Sequence, residues 1–323
     1  MPGRTDRDPL VVFVCGTARC GSTILGSALN QVDGWFTAGE LCHLWDRGLD
    51  PSKHCACTEL VQECEVWSDV IAHGLDDSTS LPTGDHRTAD IQTWGRTPQQ
   101  IIEWQHRLDD AWFLRDRHRS DLMAYGEVLT DVYRTIGERT GASVIVDTSK
   151  HVSDAAALLE YQGHDTNVRL LHFVRDSRAV VHSAAKRPYS GRPTRSGARV
   201  AARVSAGWLR VNLAASLLSR NWPEGRSMVM RYEEFAASPQ SAIDQIYTWA
   251  TGDLNPPAVV SDDGTLVFAA NHSVSGGHAR SGTENVQIRP DTKWLTGLSK
   301  SERLATTVLT APALLAYGYP LRP

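Results

Sequence analysis

The residues best equipped for chemistry in this sequence are cations set among small residues. Residues 11–29 read VVFVCGTARCGSTILGSAL, with Arg19 inside a glycine-bounded turn and Cys20, Gly21, Ser22 and Thr23 directly after it. A turn of this kind between a strand and a helix presents backbone N–H groups, and the helix dipole adds roughly half a positive charge at the same point. A guanidinium within the turn supplies further donors in a fixed plane. Together they suit a tetrahedral oxyanion. The nucleotide-triphosphate loop G-x-x-x-x-G-K-[ST] is matched at Gly16, Gly21 and Thr23, but Ser22 stands where its lysine belongs. A tyrosine-phosphatase loop fits less well, because its arginine, counted from Cys15, falls on Gly21. Three more cations sit in comparable settings: Lys150 in Asp147-Thr148-Ser149-Lys150, Arg175 after RLLHFV, and Arg280 among Gly276, Gly277 and Gly282. One phosphate does not need so many cations; a ligand with two separated anionic groups does.

These residues must be positioned by the elements around them. Residues 11–15, 143–147 (SVIVD) and 169–174 (RLLHFV) are continuous apolar runs that read as buried strands, with SMVMRY as another and Trp35-Phe36 as a short one. Helical patterns alternate with them, which predicts a parallel sheet covered on both faces. In such sheets ligands bind beyond the carboxyl ends of the strands, so residues 16–23, Asp147 to Lys150 and Arg175 are expected around one crevice. Ser153 is expected to cap the helix after Lys150. Residues 67–141 carry helical periodicity, with Thr97-Pro98 as a helix start, a second helix from about Ser120 and Gly141 at its end. This insertion is expected to form a substrate-covering lid, although core packing explains its residues equally well. Residues 271–291 read as one long glycine-bearing loop, and Ser299 with Glu302 forms a capping box.

The 323 residues suffice for a single α/β domain spanning 1–323. A net charge of −4 with 22% charged residues argues against an extended nucleic-acid surface. No apolar run approaches the ~20 residues of a membrane span, and the polar N-terminus is not a secretory signal. A cytoplasmic enzyme is expected. All six cysteines lie early: Cys15, Cys20, Cys42, Cys55, Cys57 and Cys64. The C-x-C with a third cysteine following, and His43 and His54 at hand, allows zinc or a local disulfide. The spacing is not the usual C-x-x-C knuckle, and reduced thiols are the expectation for a cytosolic chain.

Arg19-Cys20-Gly21-Ser22-Thr23 resembles the 5′-phosphosulfate loop of sulfotransferases that use 3′-phosphoadenosine 5′-phosphosulfate (PAPS), and Arg175-Asp176-Ser177-Arg178 with Ser183 resembles their 3′-phosphate site. Further matches are Asp147 to Lys150, Tyr232-Glu233-Glu234-Phe235, the stretch from His272 to Gly282, Asp291 with Trp294, and the cysteine segment before Trp67. The resemblance implies a three-layer P-loop-like fold and roles for several of the matched residues. Arg19, Cys20, Gly21, Ser22 and Thr23 would hold the phosphosulfate; Arg175 and Ser183 the 3′-phosphate, completed by Arg280, Ser281 and Gly282. Cys20 departs from the commoner serine, which raises the question of a reactive thiol. Glu40 resembles the catalytic glutamate of carbohydrate and tyrosyl-protein sulfotransferases; His43 and His172 are its competitors as general base. Lys150 and Arg19 would stabilise the leaving oxygen. The implied reaction is in-line transfer of a sulfuryl group to a hydroxyl, or less readily an amine, with no metal required. A small molecule, glycan or glycolipid is the expected acceptor, and Trp94, Trp104 and Trp112 offer surfaces for it. The rival readings are a P-loop kinase or NTPase, with residues 144–147 as its Walker B strand, and a non-catalytic nucleotide-binding protein.

Overall fold

The structure is a computed structural model that describes residues 8–322 apart from 49, 75–97, 110–114, 164–165, 187–196, 262–263, 269–270 and 277–284. The apolar runs form the sheet. In chain order, β1 (Leu10–Cys15), α1 (Ser22–Leu29) and β2 (Trp35–Gly39) lead into α2 (Trp67–Gly74), α3 (Pro98–Asp109) and α4 (Arg115–Thr140). Next come β3 (Val144–Lys150), α5 (Val152–Gln162), β4 (Val168–Val174), α6 (Ser177–Lys186), α7 (Ala198–Arg220) and β5 (Ser227–Arg231). The chain continues through α8 (Tyr232–Ala237), α9 (Pro239–Thr251), β6 (Thr265–Val267), β7 (Asn285–Gln287), α10 (Trp294–Gly297) and α11 (Lys300–Ala316).

Five strands pair in the order β2-β3-β1-β4-β5, and every pairing is parallel. Alternation along β1 assigns the layers: Val11, Phe13 and Cys15 face α2–α5 and α7, while Val12 and Val14 face α1, α8 and α9. A three-layer α/β fold results, as the alternating pattern predicts. Because β1 is central, with the chain crossing to β3 on one side and β4 on the other, its carboxyl end opens into the crevice.

Two register shifts shape that end of the sheet. One lies between Phe13 and Cys15, so that Cys15 pairs with Lys150; the other lies between Thr37 and Gly39, so that Gly39 pairs with Asp147. Bulges of this kind re-aim side chains at the rim of a sheet. Here they end both strand pairs at the residues just before the crevice.

Three expectations need correction. Ser153 does not cap α5: His151 holds the N-cap position without a side-chain cap bond, and Ser153 is buried inside the helix. The helix expected from about Ser120 begins at Arg115. Residues 271–291 are not one loop, because β7 within them pairs antiparallel with β6. The Thr97 cap lies outside the described residues. Within the insertion, Leu122, Tyr125, Leu129, Val132, Tyr133 and Ile136 are buried in the layer against the sheet. Gln105 ties it to the crevice side by donating to the Cys42 carbonyl at 3.1 Å and the Tyr125 hydroxyl at 2.9 Å.

Candidate active site

The cradle is built by residues 16–21 between β1 and α1. Gly21 is the helix N-cap with φ 98°, and no side chain caps the helix. A Cβ at Gly21 would lie 2.5 Å from the Tyr232 ring, so glycine is required both for the backbone turn and for space. Arg19 also adopts a left-handed backbone, φ 70°, a conformation that costs a non-glycine residue roughly 1–2 kcal/mol. The carbonyl of Gly21 accepts from Ile24 and Leu25, which starts the helix at the rim of the cradle. Inside the loop, the buried Thr17 hydroxyl meets no partner among the described residues. Cys20 is fully buried, and burial raises its thiol despite the nearby Lys150 and Arg175 charges, so it is not the reactive thiol its position raised as a question.

Arg175 stands beside the cradle, 7% exposed. Its guanidinium donates to the Arg19 carbonyl at 2.8 Å and to Asp291 Oδ2 at 2.5 Å, and it lies 4.4 Å from the Tyr232 ring centroid. Its Nε is buried and meets no acceptor among the described residues. A buried guanidinium nitrogen left in this state is costly unless an anion reaches it. The rest of this motif is structural. Asp176 and Arg178 pair with each other, and Arg178 also donates to the carbonyls of Pro320 and Leu321, anchoring the C-terminal segment. Glu233 accepts from the Asp176 backbone and from the Tyr319 hydroxyl. Ser183 lies half-buried on α6, two helical turns beyond Arg175. Arg280, Ser281 and Gly282 lie outside the described residues.

On the opposite side of the cradle, Lys150 Nζ contacts Glu40 Oε1 at 2.6 Å and the Thr148 carbonyl at 2.8 Å. Lys150 has φ 74°, a strained turn-out immediately after the bulge with β1. Burial pushes the Glu40 carboxyl upward, but the Lys150 ammonium, then His43 and Arg47, outweigh it and hold Glu40 below the ordinary glutamate range. His43 Nε2 lies 3.6 Å from the other Glu40 oxygen, while its Nδ1 faces Asp46 at 3.2 Å. The Glu40 backbone is fixed as well: its N–H donates to the Ser275 carbonyl at 2.9 Å.

The structure thus brings Arg19, Gly21, Ser22, Thr23, Lys150, Glu40 and Arg175 to one end of the sheet. It does not bring His172 there. His172 is fully buried on the α7 face of β4, bonded to Asn212 at 2.9 Å and edge-on to Tyr317, and burial pushes its pKa down to about 4. Asp147, the Walker B candidate, is buried and consumed by the Tyr133 hydroxyl at 2.6 Å and the Ser149 backbone at 2.7 Å. Thr17 escaped the sequence reading, and Tyr232 and Asp291 entered it only as matches without a part: Tyr232 is the platform under Arg175 and Asp291 its counter-ion. Thr17 was legible as a hydroxyl within the turn; the other two meet Arg175 only through the fold. Trp104 packs against Tyr125 at 6.5 Å between ring centroids, and Trp94 and Trp112 lie outside the described residues.

A parallel sheet with an anion cradle after its central strand, and helices on both faces, defines an α/β protein with a P-loop-like fold. The chain belongs to the sulfotransferase family, whose model matches residues 9–256. Among solved structures, a sulfotransferase domain from the curacin biosynthetic pathway is similar at 18% identity, covering 98% of this chain and 100% of that one, with a TM-score of 0.48. Sulfotransferase STF9 from Mycobacterium avium shares 15% identity over 97% of this chain and 78% of that one, TM-score 0.48. The sulfotransferase domain from the Synechococcus PCC 7002 olefin synthase shares 16% over 98% of each, TM-score 0.47. No curated protein matches the chain.

Proposed function

We propose that this chain transfers a sulfuryl group from PAPS to the hydroxyl of a small-molecule, glycan or glycolipid acceptor. Family membership supports sulfuryl transfer in general. The observation that carries the donor assignment is the buried Nε of Arg175, which meets no acceptor among the described residues, on a guanidinium that also holds the Arg19 carbonyl. That contact joins a second anion site directly to the cradle, as a donor with a 3′-phosphate and a 5′-phosphosulfate demands. Residues 16–23 would hold the phosphosulfate, with Thr17 adding a hydroxyl. Arg175 and Ser183 would hold the 3′-phosphate, with residues 280–282 closing over it.

In the reaction, the acceptor oxygen attacks sulfur while its proton passes to Glu40. The bond from sulfur to the 5′-phosphate oxygen breaks, and adenosine 3′,5′-bisphosphate leaves with the electron pair. The protein mostly positions the groups and stabilises developing charge. Lys150 serves both ends of the transfer. Its ammonium holds Glu40 ionised before reaction and can turn toward the leaving oxygen, which frees Glu40 to accept a proton. The acceptor would sit between Glu40 and α2–α4, making residues 67–141 the acceptor-side part of a single domain. Among the described residues no helix is long and apolar enough to cross a membrane, in keeping with the cytoplasmic location we propose.

A P-loop kinase is the rival. Its metal-binding aspartate would have to be Asp147, which is already committed to Tyr133 and Ser149. Incubation with PAPS and fractionated acceptor extracts tests the proposal, with mass spectrometry following the gain of one SO3 unit and release of the bisphosphate. Bisphosphate binding that is no tighter than ATP–Mg²⁺ binding would overturn it.

A further inference from the structure

Three of the six cysteines, Cys15, Cys20 and Cys42, are buried singly around the sheet end. The other three converge. Cys55 and Cys57 occupy a tight turn in which Thr58 has φ 79°, Thr58 N–H donates to the Cys55 carbonyl and Cys55 N–H to the Glu59 carbonyl. Cys64 sits just before α2. A fourth residue arrives from the far end of the chain: His272 places Nδ1 3.2 Å from Cys64 Sγ across 208 positions of sequence. The ligand atoms of Cys55, Cys57, Cys64 and His272 all lie within 4.8 Å of one another.

We propose that Cys55, Cys57, Cys64 and His272 form a structural zinc site that clamps the early cysteine turn to the 271–276 segment. The spacing of the ligand atoms suits four ligands on one ion. With Zn–S bonds of about 2.3 Å, two sulfurs on one zinc stand about 3.8 Å apart; Cys55 and Cys64 sulfurs are 3.7 Å apart. Backbone N–H groups of Cys57, Glu59, Val66 and Trp67 bond the three sulfurs, the environment that stabilises thiolates on a metal. The outer nitrogen of His272, Nε2, meets Glu65 Oε1 at 3.2 Å, which fixes the ring with Nδ1 toward the sulfurs. Three soft sulfurs and one imidazole favour zinc over the hard cations. Zinc binding converts the three thiols to thiolates and releases their protons. His43 and His54, the histidines nearer in sequence, are engaged elsewhere: His43 with Glu40 and Asp46, His54 with the Thr58 carbonyl.

The site differs from the crevice in kind, since four protein ligands leave no open position for a substrate. It acts on the crevice through the backbone. His272 is followed by residues that stitch onto the end of β2: Val274 N–H donates to the Ala38 carbonyl, and the Ser275 carbonyl accepts from Glu40 N–H. The Trp67 indole N–H also donates to the His272 carbonyl. Zinc would therefore fix the corner carrying Glu40 without touching the anion sites.

Metal analysis of the full chain, expressed with zinc and purified under reducing conditions without chelator, should find one zinc per chain. X-ray absorption at the zinc edge should resolve three sulfur neighbours and one nitrogen, a readout that needs no variant and no activity. Cobalt(II) substitution should give tetrahedral thiolate spectra. His272→Ala and Cys57→Ser should lose zinc, whereas Cys42→Ser should keep it. Glu65→Gln should keep zinc with affinity lowered roughly 10- to 100-fold. A chain without stoichiometric zinc, an oxygen-rich shell, or a Cys55–Cys64 disulfide in peptide mass spectra would overturn the proposal. None of these outcomes depends on whether PAPS is the donor.

Discussion

Replacing Arg175 with alanine should separate the 3′-phosphate site from the cradle. The guanidinium is held by the Arg19 carbonyl at 2.8 Å, by Asp291 at 2.5 Å and by the Tyr232 face at 4.4 Å, while Nε meets no acceptor among the described residues. A 3′-phosphate reaching this group gains Nε outright and competes with Asp291 for the nitrogen it holds. One new charge-assisted hydrogen bond is worth about 1.5–3 kcal/mol, or roughly 10- to 150-fold in Kd. The Asp291 exchange adds less, because one anionic acceptor replaces another. Arg175→Ala should therefore weaken adenosine 3′,5′-bisphosphate binding at least ~10-fold. Adenosine 5′-monophosphate, which senses Arg175 only through the Arg19 carbonyl, should lose much less. Titration calorimetry of both ligands on both proteins gives the ratio directly. The single variant strands the Asp291 carboxylate, so Arg175→Ala/Asp291→Asn removes that complication and should give the same ratio. Equal losses for the two nucleotides would refute the assignment of Arg175.

Other consequences are as direct. Glu40→Gln should cut turnover by about 10²- to 10⁴-fold, the usual worth of a general base, with bisphosphate binding kept; retained turnover places the base elsewhere. Because Lys150 holds Glu40 ionised below its ordinary range, the acid limb of kcat/KM should lie below pH 4.5 and move upward in Lys150→Met. An unmoved limb in that variant would remove Glu40 as the titrating group. Gly21→Ala should cost about 2–5 kcal/mol in urea denaturation, from the left-handed backbone and the Tyr232 clash together, and Tyr232→Ala should recover only the steric share. For His172, the folded pKa of about 4 lies below the unfolded value of 6.5, so between these pH values the unfolded chain binds the extra proton. Stability should fall by about 3 kcal/mol as pH drops through that window. His172→Gln should flatten the slope, and an unchanged slope would assign the acid loss to other groups.

Much of this was legible in the sequence because it is local. The strands β1, β3 and β4, the cradle and the cations at the strand ends follow from apolar runs and what terminates them. Period-two alternation could also have retired His172, since its even-numbered neighbours Leu170 and Val174 lie on the same face of β4. What stayed hidden depends on returns of the chain. Asp291 reaches Arg175 across 116 positions, and His272 reaches Cys64 across 208. No periodicity carries such information. The false Ser153 cap had a different origin: serine is a good N-cap by type, but β3 runs on to Lys150 and leaves His151 at the boundary.

Residues 273–275 do one more thing by lying against β2. That strand, Trp35–Gly39, is one of the two edge strands of the sheet, and its sequence WFTAG carries no charge. An uncovered strand end of this composition invites pairing with another molecule. Val274 and Ser275 occupy its last hydrogen-bonding positions, and Gly39, with φ 79°, admits them so closely that a Cβ there would lie 2.7 Å from Ser273 Cβ. A chain cut at residue 256, where the family match ends, would keep every strand of the main sheet yet bare this sticky margin. Such a shortened chain would forfeit solubility along with Asp291, the partner of Arg175, and Ser275, which fixes the Glu40 backbone.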